Sequence, residues 1–270
     1  MPRFAANLTM LFNEVAFLDR FALAAQAGFD AVEFLFPYAY AAEDIRQRLD
    51  AHGLRLVLHN LPPGDWDAGE RGIACHPDRV DEFRTGVAHS IAYAKVLGVG
   101  QLNCLAGRAP AGIADDVLRR TLVTNLRFAA GAFRDAGLRL LVEPINSFDI
   151  PGFYVNRTAQ ALSLLDEVGV GNVYLQYDIY HAQRMEGELA ATIAQQLPRI
   201  GHMQLADNPG RHEPGTGEIN FPFLFDHLDR LGYSGWIGCE YKPTTTTIAG
   251  LGWLKPYLEP TTSASDLPKP

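Results

Sequence analysis

Cysteine is scarce in this chain. Cys75, Cys104 and Cys239 are the three among 270 residues, an odd number with no C-x-x-C spacing. They cannot pair completely, and a reducing cytoplasm is the expected setting. Basic charge is short as well. Lys and Arg number 23 against 31 Asp and Glu, giving a formal net charge of −8 and a sequence pI near 5.5. No global basic field exists to attract a phosphate backbone, so no nucleic-acid partner is expected. No apolar run approaches the roughly 18 residues that span a bilayer. The opening MPRFAANLTMLFNE lacks the basic start, sustained apolar stretch and small-residue cleavage site of a secretory signal, so no membrane partner is expected either. No glycine-rich phosphate loop follows the first apolar run, and PGTGE (214–218) has neither the lysine nor the register of one. No G-x-S-x-G elbow or Ser-His-Asp arrangement supports acyl transfer.

What is present is a repeated order. Short apolar runs alternate with amphipathic segments, and 47% hydrophobic content is enough for a large core. The runs at 4–12, 31–36, 55–60, 101–107, 139–146, 173–181, 200–207 and 236–243 read as strands. They are apolar throughout rather than cleanly alternating, as parallel strands covered on both faces should be. The segments between them show helical spacing, the clearest from about Asp115 to Ala136, and several close on a glycine such as Gly28, Gly53, Gly98 and Gly137. The last helix, around 247–258, is weak. Eight strand–helix units over this length close most economically into a single α/β (β/α)₈ barrel spanning 1–258. The stretch 259–270, rich in Pro, Ser and Thr, is expected as an irregular tail.

Polar residues fall at the ends of these runs. Glu143 closes the fifth, Asp178 the sixth, Gln204 the seventh and Glu240 the eighth. In a barrel of parallel strands those ends share one mouth. Three carboxylates there repel unless a proton or a cation intervenes. An oxygen-rich set without cysteine suits Mg²⁺ or Mn²⁺. Each alone is more often a loop contact, and Gln204 gains weight only from the series. His59 (LVLHN) and His181 (YDIYH) are candidates for a substrate hydroxyl or carbonyl. His202, two residues before Gln204, reads as structural. Arg71, in a loop with Gly69 and Gly72, and Lys242, two residues past Glu240, are candidate anchors for an anionic group.

The strings VEFLFPY, HNLPPGDWDAGERGIAC, EPIN, DIPGF, QYDIYHAQRMEGEL, ADNPGRHEPGTGEIN and GCEYKP carry a resemblance over nearly the whole chain. The sequence resembles the hydroxypyruvate isomerase family, within the xylose-isomerase-like TIM barrels that include ketose 3-epimerases. A close branch comprises 2-oxo-tetronate isomerases. The resemblance implies a metal-dependent aldose–ketose isomerisation of a small keto-acid substrate, hydroxypyruvate to tartronate semialdehyde. It implies Glu143 and Glu240 as the acid/base pair, and Glu143, Asp178, Gln204 and Glu240 as holders of the cation. Related epimerases commonly place a histidine where Gln204 stands. Arg71 or Lys242 would then meet the substrate carboxylate. A 2-oxo-tetronate isomerase, a ketose 3-epimerase, a metallonuclease and a silent sugar-binding barrel remain the alternatives. Assembly into a homo-oligomer is left open.

Overall fold

A computed structural model of the chain describes residues 1–258; the expected tail at 259–270 lies outside the described residues. Eight parallel strands close a barrel in sequential order: β1 (Arg3–Asn7), β2 (Ala31–Glu33), β3 (Arg55–Asn60), β4 (Gln101–Cys104), β5 (Arg139–Val142), β6 (Val173–Asp178), β7 (Ile200–Leu205) and β8 (Trp236–Cys239). β8 returns to β1, with Phe4 opposite Ile237 and Ala6 opposite Cys239, so no edge is left open. The expected barrel is the observed one.

Helices clothe the outside: α1 (Arg20–Gln26), α2 (Ala42–Ala51), α3 (Val80–Leu97), α4 (Asp115–Asp135), α5 (Thr158–Val168), α6 (Ile179–Met185), α7 (Leu189–Gln196) and α8 (Phe221–Arg230). α9 (Thr247–Gly250), a 3₁₀ turn at Leu251–Leu254 and α10 (Lys255–Leu258) follow β8, so the weak last helix is broken into short pieces. α4 shows why these segments are helical. Leu118, Leu122, Leu126, Ala129 and Phe133 recur at helix spacing and are all buried. Truncating Leu126 to alanine would cost about 2–5 kcal/mol, the usual range for a buried leucine. α3 stops where Gly98 takes a left-handed conformation, with φ of 71°.

Most core side chains lie between sheet and helices, with Phe4, Val32, Leu140 and Val142 among them. Their neighbours along each strand face inward. At the base of the interior Ala5, Ala31, Leu141, Tyr174 and Trp236 pack together. Above them stand Asn7, Glu33, Gln176 and His202, all buried, with His202 in register beside Gln176. Towards the mouth come Glu143, Asp178 and Glu240, with Gln204 in register beside Asp178. This two-residue period delivers charge to the mouth while keeping the base dry.

Strands end earlier than the apolar runs. The run 173–181 divides at Asp178, whose side chain accepts from the backbone N–H of Tyr180 (2.8 Å) and caps α6. His181 therefore stands in the first turn of a helix, not at a strand end. β8 stops at Cys239, so Lys242 does not return to the face of Glu240; it is exposed, while Glu240 is buried. The two-residue period expected to bring them together ends with the strand.

Candidate active site

A cavity of about 230 Å³ opens at the C-terminal ends of the strands. Every strand contributes to its wall: Thr9 and Met10 after β1, Leu35 after β2, Asn60 on β3, Leu105 after β4, Glu143 after β5, His181 after β6, Arg211 after β7 and Glu240 after β8. Trp66, Ile145 and Ile150 complete it. The floor is charged and the walls are apolar.

Glu143 stands at the centre, buried, with Oε2 accepting from Asn103 Nδ2 at 2.8 Å. Burial raises its carboxyl well above the usual range, and the charges of Glu240 and Asp178 add to the rise. Glu240 is pushed up to about 8 by burial, although Arg211 pulls it down. Asp178 is raised by burial, against the pull of Arg211 and two backbone N–H groups. Three buried carboxyls therefore hold protons more tightly than in water, because burial outweighs the compensating charge of Arg211. Asp178 Oδ2 has no hydrogen-bond partner at all. An unpartnered buried carboxylate oxygen beside two strained carboxyls is what a divalent cation would satisfy, and the donor set fits one.

His181 joins this group. Ligand atoms of Glu143, Asp178 and His181 lie within 4.8 Å of one another, so the imidazole borders the place where the two carboxylates could hold an ion. The imidazole has a second constraint. Asn146 Nδ2 sits 2.7 Å from His181 Nδ1. With the amide donating there, Nδ1 accepts and the neutral ring carries its proton on Nε2, 3.5 Å from Asp178 Oδ2 and 3.8 Å from Glu143 Oε1. Burial, followed by Arg211 and Arg184, keeps the ring neutral by lowering its pKa well below normal. A donor Nε2–H suits an oxygen of the substrate.

Gln204 is fully buried and does not reach the cavity wall. Its Cα pairs in register with Asp178 on β6 and Gly238 on β8. Its Nε2 donates to Glu33 Oε1 (2.8 Å), and its Oε1 accepts from Gln176 Nε2 (2.6 Å). His59 is likewise beneath the wall, with Nδ1 3.1 Å from the Asn60 carbonyl and Nε2 unpartnered. Burial lowers its pKa to about 4. Arg71 lies at the rim. Its guanidinium stacks 3.9 Å from the centre of the Trp66 ring and donates to the carbonyls of Trp66 (2.9 Å) and Glu70 (2.6 Å). Lys242 is exposed and does not line the cavity.

The cation inside the cavity is Arg211, which the sequence reading missed. Its Nη2 donates to Glu240 Oε1 at 2.8 Å and lies 3.7 Å from Asp178 Oδ2. Burial alone would weaken its proton affinity, but Glu240, Asp178 and Glu143 outweigh that and raise it. The loop that carries it is pinned by the buried Asp207, whose carboxylate accepts from the backbone N–H of Asn208, Gly215, Gly217 and Ile219 at 2.9–3.1 Å. The stretch PGTGE thus folds onto an aspartate, with the N–H groups of Gly215 and Gly217 already engaged. Arg211 itself takes a left-handed φ of 59°, and its carbonyl accepts from the Lys242 N–H. The signal available was an arginine after Pro-Gly in the loop past the seventh strand. Glu33 was missed too, though it sits in AVEFLF much as Glu143 sits in LLVEP.

The family described as xylose isomerase-like TIM barrel matches residues 21–257. The chain is similar to the hydroxypyruvate isomerase of Escherichia coli strain K12, 57% identical over 95% of this chain and 100% of that protein. It is similar to the 2-oxo-tetronate isomerase of Cupriavidus necator, 52% identical over 96% of this chain and 99% of that one. Among solved structures, one described as an AP endonuclease, family 2, from Brucella melitensis superposes with a TM-score of 0.93, at 46% identity over 95% of this chain and 99% of that one.

Proposed function

Because the chain belongs to the xylose isomerase-like TIM barrel family, we propose that it isomerises a small hydroxy-keto acid, hydroxypyruvate to tartronate semialdehyde, by proton transfer between Glu143 and Glu240. The observation that carries this reading is the cavity floor. Two buried carboxyls with raised pKa values share it with a guanidinium and a neutral imidazole. Its volume of about 230 Å³ falls below the roughly 300–1,000 Å³ of drug-sized sites and suits a three- or four-carbon acid.

The reaction removes a proton from the hydroxymethyl carbon and returns one to the neighbouring carbonyl carbon, while the hydroxyl proton passes to the former carbonyl oxygen. A carboxylate whose pKa is raised is a stronger base when ionised and an effective acid when protonated, so Glu143 and Glu240 are matched to both halves. Arg211 offers the guanidinium fork that a substrate carboxylate pairs with, and its contact with Glu240 would bring that carboxylate beside the proton-transfer group. His181 Nε2–H donates to the substrate oxygen on which charge develops. Asn103 holds Glu143 in place through Oε2. Trp66, Leu105, Ile145 and Ile150 keep water from the reacting carbons. Glu143, Asp178, Gln204 and Glu240 would hold the cation. A bound Mg²⁺ or Mn²⁺ would polarise the substrate carbonyl and offset the negative charge formed beside it.

The likeness to a 2-oxo-tetronate isomerase supports a four-carbon acid as the second reading. The structure described as an endonuclease raises a third, but a net charge of −8 opposes DNA binding. A substrate panel decides among them: hydroxypyruvate, 2-oxo-tetronates, uncharged ketoses and abasic DNA, each with and without Mg²⁺. Turnover confined to the keto-acids supports the proposal. Preference for uncharged ketoses, or strand cleavage, overturns it.

A further inference from the structure

One step below the reacting carboxylates lies a carboxylate with no part in the chemistry above. Glu33, at the end of β2, is fully buried. Three N–H groups converge on it. His202 Nε2 stands 2.6 Å from Oε2, while Gln204 Nε2 (2.8 Å) and Asn7 Nδ2 (2.9 Å) both donate to Oε1. Space for it is made on the far wall, where a Cβ at Gly238 would collide with the carboxylate. Gly238 is also the register partner of Gln204. The strands β1, β2, β7 and β8 are thus all arranged around this one group.

Such a network is a costly way to fill a barrel. An apolar side chain of the same volume would serve stability as well or better. A carboxylate does something an apolar group cannot: it presents acceptors only, and so decides which end of a neighbouring amide faces it. With Nε2 of Gln204 committed to Glu33, the amide oxygen is turned the other way. There it accepts from Gln176 Nε2 at 2.6 Å and keeps its second lone pair. Gln204 stands in register beside Asp178, whose Oδ2 is unpartnered.

We propose that Glu33 is a positioning residue that holds the Gln204 amide with its oxygen end toward the carboxylate site, so that a cation there meets an acceptor and not an N–H. The inference rests on Gln204 being a cation ligand. A reversed amide would aim two N–H groups at a positive ion. Replacing Glu33 by glutamine adds an NH₂ that must find an acceptor among Asn7, His202 and Gln204, and the oxygen of Gln204 is the accessible choice. The amide then turns.

Calorimetric titration of Mn²⁺ into the metal-free protein tests this, with thermal melting as the fold control. Glu33→Gln should weaken Mn²⁺ by about 10–100-fold, the usual effect of a change behind a ligand. Gln204→Ala should weaken it comparably, and adding Glu33→Gln to that variant should change nothing further. Gln204→Glu, which offers oxygen in either orientation, should restore affinity in the Glu33→Gln background. Glu33→Asp, which keeps the acceptors but withdraws them by one methylene, is the second variant should the amide fail to fold, and its loss should likewise vanish beside Gln204→Ala. The proposal is overturned if the Glu33 variants bind Mn²⁺ as wild type does, if their loss persists undiminished beside Gln204→Ala, or if Gln204→Ala itself leaves affinity unchanged. Hydroxypyruvate turnover by the wild type is a separate readout. Its absence would sink the substrate reading and leave the Mn²⁺ cycle standing.

Discussion

Replacing Arg211 by methionine removes the cation between Glu240 and Asp178 while keeping a long side chain in the cavity wall. In the wild type Glu240 is already pushed up to about 8, by burial, with Arg211 as the leading opposing influence. A hydrogen bond to a charged group is worth about 1.5–3 kcal/mol, and about 1.4 kcal/mol corresponds to one pH unit, so its loss should move the Glu240 midpoint up by about one to two. The sign follows from charge. Arg211 favours the ionised carboxylate, so without it the proton is held to higher pH. Carbon-13 NMR of the metal-free protein, labelled at glutamate carboxyls and with Glu240→Gln to identify the signal, reads the midpoint directly. An unmoved midpoint would refute the electrostatic account of this site. The same variant should raise KM for hydroxypyruvate about 10- to 150-fold, as expected for a lost charged contact. Arg71→Ala should raise it less, because its guanidinium is engaged with Trp66 at the rim.

Glu143→Gln and Glu240→Gln should each lower kcat by at least about 10²–10⁴, the span of general acid–base catalysis, with melting temperatures close to wild type. Asp178→Asn should weaken Mn²⁺ in calorimetric titration by more than the roughly 10–100-fold typical of a residue behind a ligand, since it removes the charge itself. His59 carries the acid-side prediction. Burial lowers its pKa from 6.5 to about 4, so between those values the unfolded chain binds a proton that the folded chain refuses. Its contribution is whole above 6.5 and lost as pH falls toward 4, and His59→Gln should flatten that decline in urea midpoints measured across the window.

The barrel was legible because its units repeat: an apolar run, then helical spacing, then a glycine. Glu143, Asp178 and Glu240 were legible because each interrupts such a run at its end, and all three stand at the mouth. Glu33 obeys the same rule but hides from it. Its strand is three residues long, and the phenylalanines and leucine of FLF continue the apolar run past it. Arg211 gives no periodic signal, for its place is set by Asp207 gathering backbone N–H groups from across the loop. Lys242 misled because a strand period was extended beyond the strand. His181 was expected on a strand and reaches the site from a helix that Asp178 caps. For Glu33, Lys242 and His181 the missing information is where the strand stops, which depends on neighbours distant in sequence; for Arg211 it is how a loop folds.

Proton transfer between two glutamates is tested most directly by following hydroxypyruvate in D₂O with proton NMR, using the Mg²⁺-loaded protein. The account predicts tartronate semialdehyde as product, deuterium at the carbon that began as the carbonyl, and no conversion beyond background with Glu143→Gln or Glu240→Gln. Conversion at the wild-type rate in either variant would contradict it.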